Sequence, residues 1–210
     1  MQNNLFFIAQ SGWRYIAYTT LAFVIFQTFD FEFLSVISFI ILLGLLFLYR
    51  NPERVNSNYK KGSIVSPVDG IVKSIVELDD KEFAYKVEID SSCFNVGILR
   101  TPCNASIQNI KIVRGTRISR KSKLFDILNE YALISFRDES GHELKIVHKL
   151  KQGFAPIDID LISKQTLNQG SRYGVAINAV TWIYLPSNTR LNIKVAQELK
   201  GSETLLAYFS

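Results

Sequence analysis

Apolar residues are spread unevenly along the chain. From Tyr15 to Tyr49 the only charged residues are Asp30 and Glu32, which divide the stretch into Tyr15–Phe29 and Phe33–Tyr49. Two nearly unbroken apolar runs with an acidic break predict a helical hairpin. A membrane-crossing helix usually needs about 20 apolar residues, and both runs fall slightly short. With Trp13, Tyr15 and Tyr49 at headgroup depth they would span; the alternative is a shallow re-entrant hairpin. A cleaved signal peptide fits poorly. Arg14 is a weak charged region, the apolar stretch is double, and Tyr49-Arg50-Asn51 lacks the small residues of a cleavage site.

Beyond Asn51 the pattern changes to short runs with turns. Ser63–Val65 and Ile71–Leu78 are rich in β-branched residues and flank the turn Ser66-Pro67-Val68-Asp69-Gly70. Tyr85, Val87 and Ile89 alternate with Lys86, Glu88 and Asp90. Tyr131–Phe136 and Leu144–Leu150 flank Asp138-Glu139-Ser140-Gly141 and read as a β-hairpin. Tyr173–Leu185, Leu191–Val195 and Thr204–Tyr208 read as further strands, with short helices around Lys123–Asn129 and after Pro156. The expectation is a mainly β (α+β) fold: residues 1–50 a membrane-anchoring helical hairpin, residues 51–210 a β sandwich or barrel-like domain. There is no internal repeat and no low-complexity segment.

Charge orients this arrangement. The chain has 210 residues and a net charge of +5. Arg14 precedes the first apolar run; Arg50, Arg54, Lys60 and Lys61 follow the second; the tip carries only acids. The positive-inside rule then puts both termini in the cytoplasm, where Cys93 and Cys103 are reduced thiols. Arg14 and Arg50 cancel Asp30 and Glu32, so the excess belongs to the second part. It is concentrated between Ser91 and Phe125, which has no Asp or Glu but holds Arg100, Lys111, Arg114, Arg117, Arg120, Lys121 and Lys123. One reading is a solvated basic loop; the other is a face toward anionic lipid headgroups. No nucleic-acid motif is present.

Catalytic chemistry is hard to find from residue types alone. His142 follows a turn glycine and reads as exposed; His148 lies in a strand with basic neighbours. No Cys/His cluster has zinc spacing, and no Gly-rich phosphate loop occurs. Asp158 and Asp160 read as a solvated edge or a polar helix start.

The order of motifs says more. Leu48-Tyr49-Arg50-Asn51-Pro52-Glu53-Arg54 follows the apolar hairpin. Ser66-Pro67-Val68-Asp69-Gly70 comes next, then Phe94-Asn95-Val96-Gly97-Ile98-Leu99-Arg100-Thr101-Pro102, then Gly170-Ser171-Arg172-Tyr173-Gly174 ahead of Tyr184-Leu185-Pro186. In this the chain resembles the short phosphatidylserine decarboxylases, whose pattern runs FFRDPER, SPADG, FDVHVNRxP, GERFG and a Gly-Ser pair before YLP. The resemblance implies a bacterial inner-membrane protein of phospholipid metabolism, with its β domain in the cytoplasm. Its lipid partner would be phosphatidylserine or phosphatidylethanolamine, and it could form a homo-oligomer. It also implies a self-made cofactor. A Ser hydroxyl, activated by a His that an Asp orients, attacks the preceding Gly carbonyl; the chain breaks and the Ser becomes a pyruvoyl group.

Carried over by position, the Asp is present as Asp69. The His position is Gly97, and the Gly-Ser pair falls on Asn178-Ala179. The expectation is therefore a family member without a pyruvoyl group, acting as a lipid-binding or regulatory homologue. The alternative is an active decarboxylase with relocated processing residues, Ser202 being the first candidate nucleophile and Ser171 the second. Gly62-Ser63, Gly170-Ser171 and Gly201-Ser202 all read first as turns, and Thr181 is crowded by the preceding Val180.

Overall fold

The computed structural model describes residues 6–55, 59–60, 62–80 and 82–209. The chain divides into two compact units, Met1–Glu53 and Arg54–Ser210.

In the first unit, helix α1 spans Trp13–Thr28 and helix α2 spans Glu32–Leu48. Between them Asp30 takes a left-handed backbone, with φ of 58°. The open end is tied by a bridge between Ile8 and Arg50 and by the Ala9 N–H donating to the Tyr49 carbonyl at 2.8 Å. Tyr49 is buried there against Gly12, where a Cβ would come within 2.4 Å of its ring. Most other large apolar side chains of the two helices are exposed. Among the described residues no helix is long and apolar enough to cross a membrane. The spanning alternative is thus unsupported, and the physical reason is length. The longer helix, α2, ends at Leu48 after little more than four and a half turns. A helix of that size rises about 25 Å, short of a hydrocarbon core of about 30 Å.

The second unit is built of antiparallel strands. They are β1 (Ser63–Val65), β2 (Gly70–Glu77), β3 (Tyr85–Asp90), β4 (Ile98–Arg100), β5 (Ala105–Val113), β6 (Tyr131–Asp138) and β7 (Glu143–Leu150). There follow β8 (Asp158–Ile159), β9 (Thr166–Leu167), β10 (Arg172–Val175), β11 (Ala179–Leu185), β12 (Thr189–Leu191), β13 (Glu198–Leu199) and β14 (Leu205–Phe209). One short helix, α3 (Phe125–Leu128), lies between β5 and β6. An eight-stranded sheet runs β13-β2-β3-β11-β7-β6-β5-β9, beside two three-stranded sheets, β1-β14-β12 and β4-β10-β8. Alternation explains the core: Val87 and Ile89 of β3, Ile134 and Phe136 of β6, and Ile183 and Leu185 of β11 all point into one apolar cluster.

Several elements differ from the sequence reading. Tyr173–Leu185 is not one strand; it breaks at Asn178, whose φ is 57°. Leu191–Val195 gives way to β12, which ends at Leu191. The segment after Pro156 is the edge strand β8, not a helix. The basic stretch contains two strands, β4 and β5. In β5 the pairing slips between Ile107 and Asn109, and such a bulge breaks the period-two signal.

Candidate functional site

One end of the large sheet gathers the positions singled out from the motifs. Asp69 closes the turn entering β2, a turn held by the Ser66 hydroxyl donating to the Val68 carbonyl at 2.6 Å. Gly70 is required next, because a Cβ there would lie 2.7 Å from the Asp90 carbonyl oxygen. Ser91, just after β3, links two of the positions: its hydroxyl donates to the Asp69 carbonyl and its N–H to the Ala179 carbonyl at 2.9 Å. Gly97, just before β4, accepts from the Ala176 N–H at 2.8 Å. Asp69 and Ala179, far apart in sequence, are thus linked through Ser91, and Gly97 is bonded to Ala176 in the turn before β11.

The side chains at this junction are these. One Asp69 oxygen accepts from the Arg54 guanidinium at 2.6 Å, and the other from the Gly201 N–H at 2.8 Å. Arg54 also reaches Glu203 at 3.5 Å. Ala179 presents a buried methyl. Asn178 keeps the left-handed conformation that a glycine takes readily; its amide donates to the Gln152 carbonyl at 2.7 Å. At Gly97 a Cβ would lie 3.2 Å from both the Ala176 oxygen and Ile177 Cγ1, so Ile177 already crowds the space a larger side chain needs.

A family model for phosphatidylserine decarboxylase matches residues 45–207. The chain belongs to the phosphatidylserine decarboxylase family. A protein of Rickettsia akari named phosphatidylserine decarboxylase proenzyme is 28% identical over 217 residues, covering 99% of this chain and 93% of that protein. One of the same name from Desulfotalea psychrophila is 25% identical over 204 residues, covering 95% of each. The homology makes this a phosphatidylserine decarboxylase-related protein of phospholipid metabolism.

The resemblance places the processing serine at 179 and its histidine base at 97. A pyruvoyl group forms from a serine side chain, and the side chain here is the methyl of Ala179. No imidazole stands at Gly97 to serve as base. The retained Asp69 carboxylate is occupied by Arg54 and the Gly201 amide. Those contacts bring Gly201-Ser202 beside it. Ser202 is buried, with φ of 70°, and its N–H donates to the Ser66 carbonyl at 2.8 Å. Gly170-Ser171 is a turn that locks onto β4: Thr101 N–H donates to the Ser171 carbonyl at 2.9 Å, and Gly170 N–H to the Thr101 carbonyl at 2.8 Å.

His142 is less exposed than its sequence reading, and His148 lies in β7 as read. His142 is half-buried, paired with Asp138 at 3.1 Å and stacked on Phe209. His148 is fully buried, with Nδ1 2.8 Å from the Thr181 hydroxyl and Nε2 2.6 Å from the Tyr173 hydroxyl. Burial pushes its pKa down to about 3 and raises that of Tyr173. A neutral imidazole donates from one nitrogen and accepts at the other, and both hydroxyls match either tautomer. The network is satisfied and sealed from solvent, so it serves packing. Strand register brings it together, Thr181 facing His148 across β11 and β7, which sequence reasoning had no means to see.

The seven basic residues separate into two groups. Arg100 is buried, donating to the Gly170 carbonyl at 3.1 Å, and so faces inward rather than toward a headgroup. Arg114 and Arg117 both pair with the buried Glu130, and Arg120 pairs with Glu88. Arg114 and Arg120 stay exposed beside these partners, and Lys111, Lys121 and Lys123 are exposed as well. A cavity of about 210 Å³ lies elsewhere, lined by Lys60, Ser63, Asn104, Glu139 and Gln169 among others, and shares no residue with the Asp69 junction.

Proposed function

We propose that this chain is a non-catalytic member of the phosphatidylserine decarboxylase family, unable to form a pyruvoyl group, that binds or regulates at a phospholipid membrane. The observation that carries the reading is the pairing of Ala179 with Gly97 at positions where the family has its serine and histidine. Without a hydroxyl there is no ester, and without the ester no chain break. Electrophoresis and intact mass test it. The expected result is one chain of 23.9 kDa with an ordinary N-terminus and no phosphatidylethanolamine formed from phosphatidylserine. Two fragments, or a pyruvoyl-blocked end, refute it.

The membrane part of the proposal rests on the first unit. Its helices expose Phe33, Ile40 and Ile41 among many apolar side chains. Four of their hydroxyls are satisfied internally: Thr19, Thr20 and Thr28 each donate to the carbonyl four residues back, and Ser35 donates to Gln27 at 2.8 Å. In hydrocarbon every polar group needs such a partner. Short helices with acids at the tip suit a re-entrant hairpin entering one leaflet, with Arg14 and Arg50 on the cytoplasmic side of a bacterial inner membrane.

A second reading, a working decarboxylase that cleaves at Gly201-Ser202, is favoured by one contact, the Asp69 carboxylate on the Gly201 amide. It predicts release of Ser202–Ser210 and loss of that release in Ser202→Ala. A wild-type chain of undiminished mass removes it.

A further inference from the structure

The segment between β5 and β6, Arg114–Glu130, is a loop with a closed neck and an exposed tip. At the neck Thr116 N–H donates to the Leu128 carbonyl and Glu130 N–H to the Thr116 carbonyl, both at 2.9 Å. The Asn129 side chain clasps Ile118 from both sides, donating to its carbonyl at 2.9 Å and accepting its N–H at 3.2 Å. Gly115 permits this closure, since a Cβ there would fall 2.3 Å from the Leu128 oxygen. Glu130 is 1% exposed and holds both Arg114 and Arg117, and Arg117 continues to the Phe154 carbonyl at 2.6 Å. Phe125 plugs the base of α3, 4% exposed.

A loop so firmly built would ordinarily hide its large apolar side chains, and this one displays them. Leu124 is 50% exposed, Ile127 75% and Leu128 43%, with Phe154 at 50% beside the neck. Lys121 and Lys123 flank them and are exposed. The one acid of the tip, Asp126, is met by Lys149, whose ammonium donates to the Asp126 carbonyl at 2.7 Å and lies 3.7 Å from its carboxylate. The division of labour is chemical. Arg114 and Arg117, planar and multidentate, hold the neck through Glu130, and Arg120 pairs with Glu88; Lys121 and Lys123, compact point charges on long stems, are left outward.

We infer that this tip is a membrane-docking element of the β unit. Leu124 and Ile127 enter the boundary between headgroups and acyl chains, and Lys121 and Lys123 contact the phosphates of an anionic leaflet. Charge complementarity selects the occupant. A basic rim around exposed aliphatic side chains matches an anionic lipid surface, whereas an interface between proteins is depleted in lysine. The inference rests on the membrane placement proposed above and adds a second contact to it.

Nitroxide labels on the full chain test it, at Ile127→Cys in the loop and, separately, at Ile40→Cys in α2, both in a Cys93→Ser background; Cys103 is buried, with its thiol pKa pushed up to about 12. The chain is reconstituted in nanodiscs of phosphatidylcholine with or without phosphatidylglycerol. Accessibility to oxygen and to a nickel chelate then reports immersion. The expected result is immersion at 127 only with phosphatidylglycerol and low salt, reduced about tenfold or more by Lys121→Glu with Lys123→Glu. An Ile127 label in water while the Ile40 label is in lipid overturns the docking element and leaves the anchor standing. An Ile40 label in water overturns the anchor, and the loop is then judged on its own label. Shielding at 127 that follows protein concentration, or is equal in phosphatidylcholine alone, overturns the inference in favour of a protein contact.

Discussion

His148 and Asp69 show how a residue's meaning depends on its neighbours. His148 would be the natural general base in a family that needs one, yet it is sealed between Thr181 and Tyr173. Its depressed pKa has a consequence for stability. Above pH 6.5, the ordinary histidine value, it is neutral folded or unfolded and its contribution is complete. Between 6.5 and about 3 only the unfolded chain takes the proton, so stability falls as pH falls. The slope from this one group is at most about 1.4 kcal/mol per pH unit. Urea midpoints measured across that range are expected to drop more steeply for the wild type than for His148→Gln. Asp69 brackets Arg54 and the Gly201 amide. Asp69→Ala leaves the largely buried Arg54 guanidinium without its nearest carboxylate, and equilibrium unfolding is expected to show a loss of about 3 kcal/mol. The predicted cost is structural, so it appears whether or not lipid is present.

At the scale of elements, the prediction concerns how strands are joined. Gly174 in β10 lies so close to β8 that a Cβ would meet the Asp158 oxygen at 2.3 Å. Gly174→Ala is expected to push β8 off the sheet edge, at a cost of about 2 kcal/mol, visible as faster amide exchange at Ile159 and Asp160. The motif Gly170-Ser171-Arg172-Tyr173-Gly174 therefore has a packing reason for its second glycine. Element boundaries were legible where turns are chemically marked, as at Asp138–Gly141, and were lost where the mark is a single asparagine, as at Asn178. The bulge in β5 hid a strand inside a stretch that reads as a basic loop.

For the whole molecule, Gly97 and Ala179 are more than two isolated residues. Ile177 and the Ala176 carbonyl crowd the place of a side chain at 97. Gly97→His combined with Asn178→Gly and Ala179→Ser is therefore expected to remain a single chain on a denaturing gel, destabilised by about 1–3 kcal/mol from overpacking. Adding Ile177→Ala should recover that stability. Cleavage of the first variant would show that the junction still holds room for the base.

By itself the sequence determined the family, through motifs in order, and the β character of the second unit, through turn chemistry and alternation. It also determined that position 179 has no hydroxyl. These are properties of local residue type, which need no knowledge of contacts. Only the tertiary structure decided which charges are available. The run from Ser91 to Phe125 reads as one basic face, but partners distant in sequence, Glu88, Glu130 and the Gly170 carbonyl, pair with its arginines; Arg100 is buried, while Arg114 and Arg120 stay exposed beside their carboxylates and the lysines point outward. Burial likewise took His148 out of reach of solvent, and Ser91 brought Asp69 to Ala179. Charge availability and burial are set by what the folded chain places opposite a residue, and that pairing is not written in the residue's own neighbourhood.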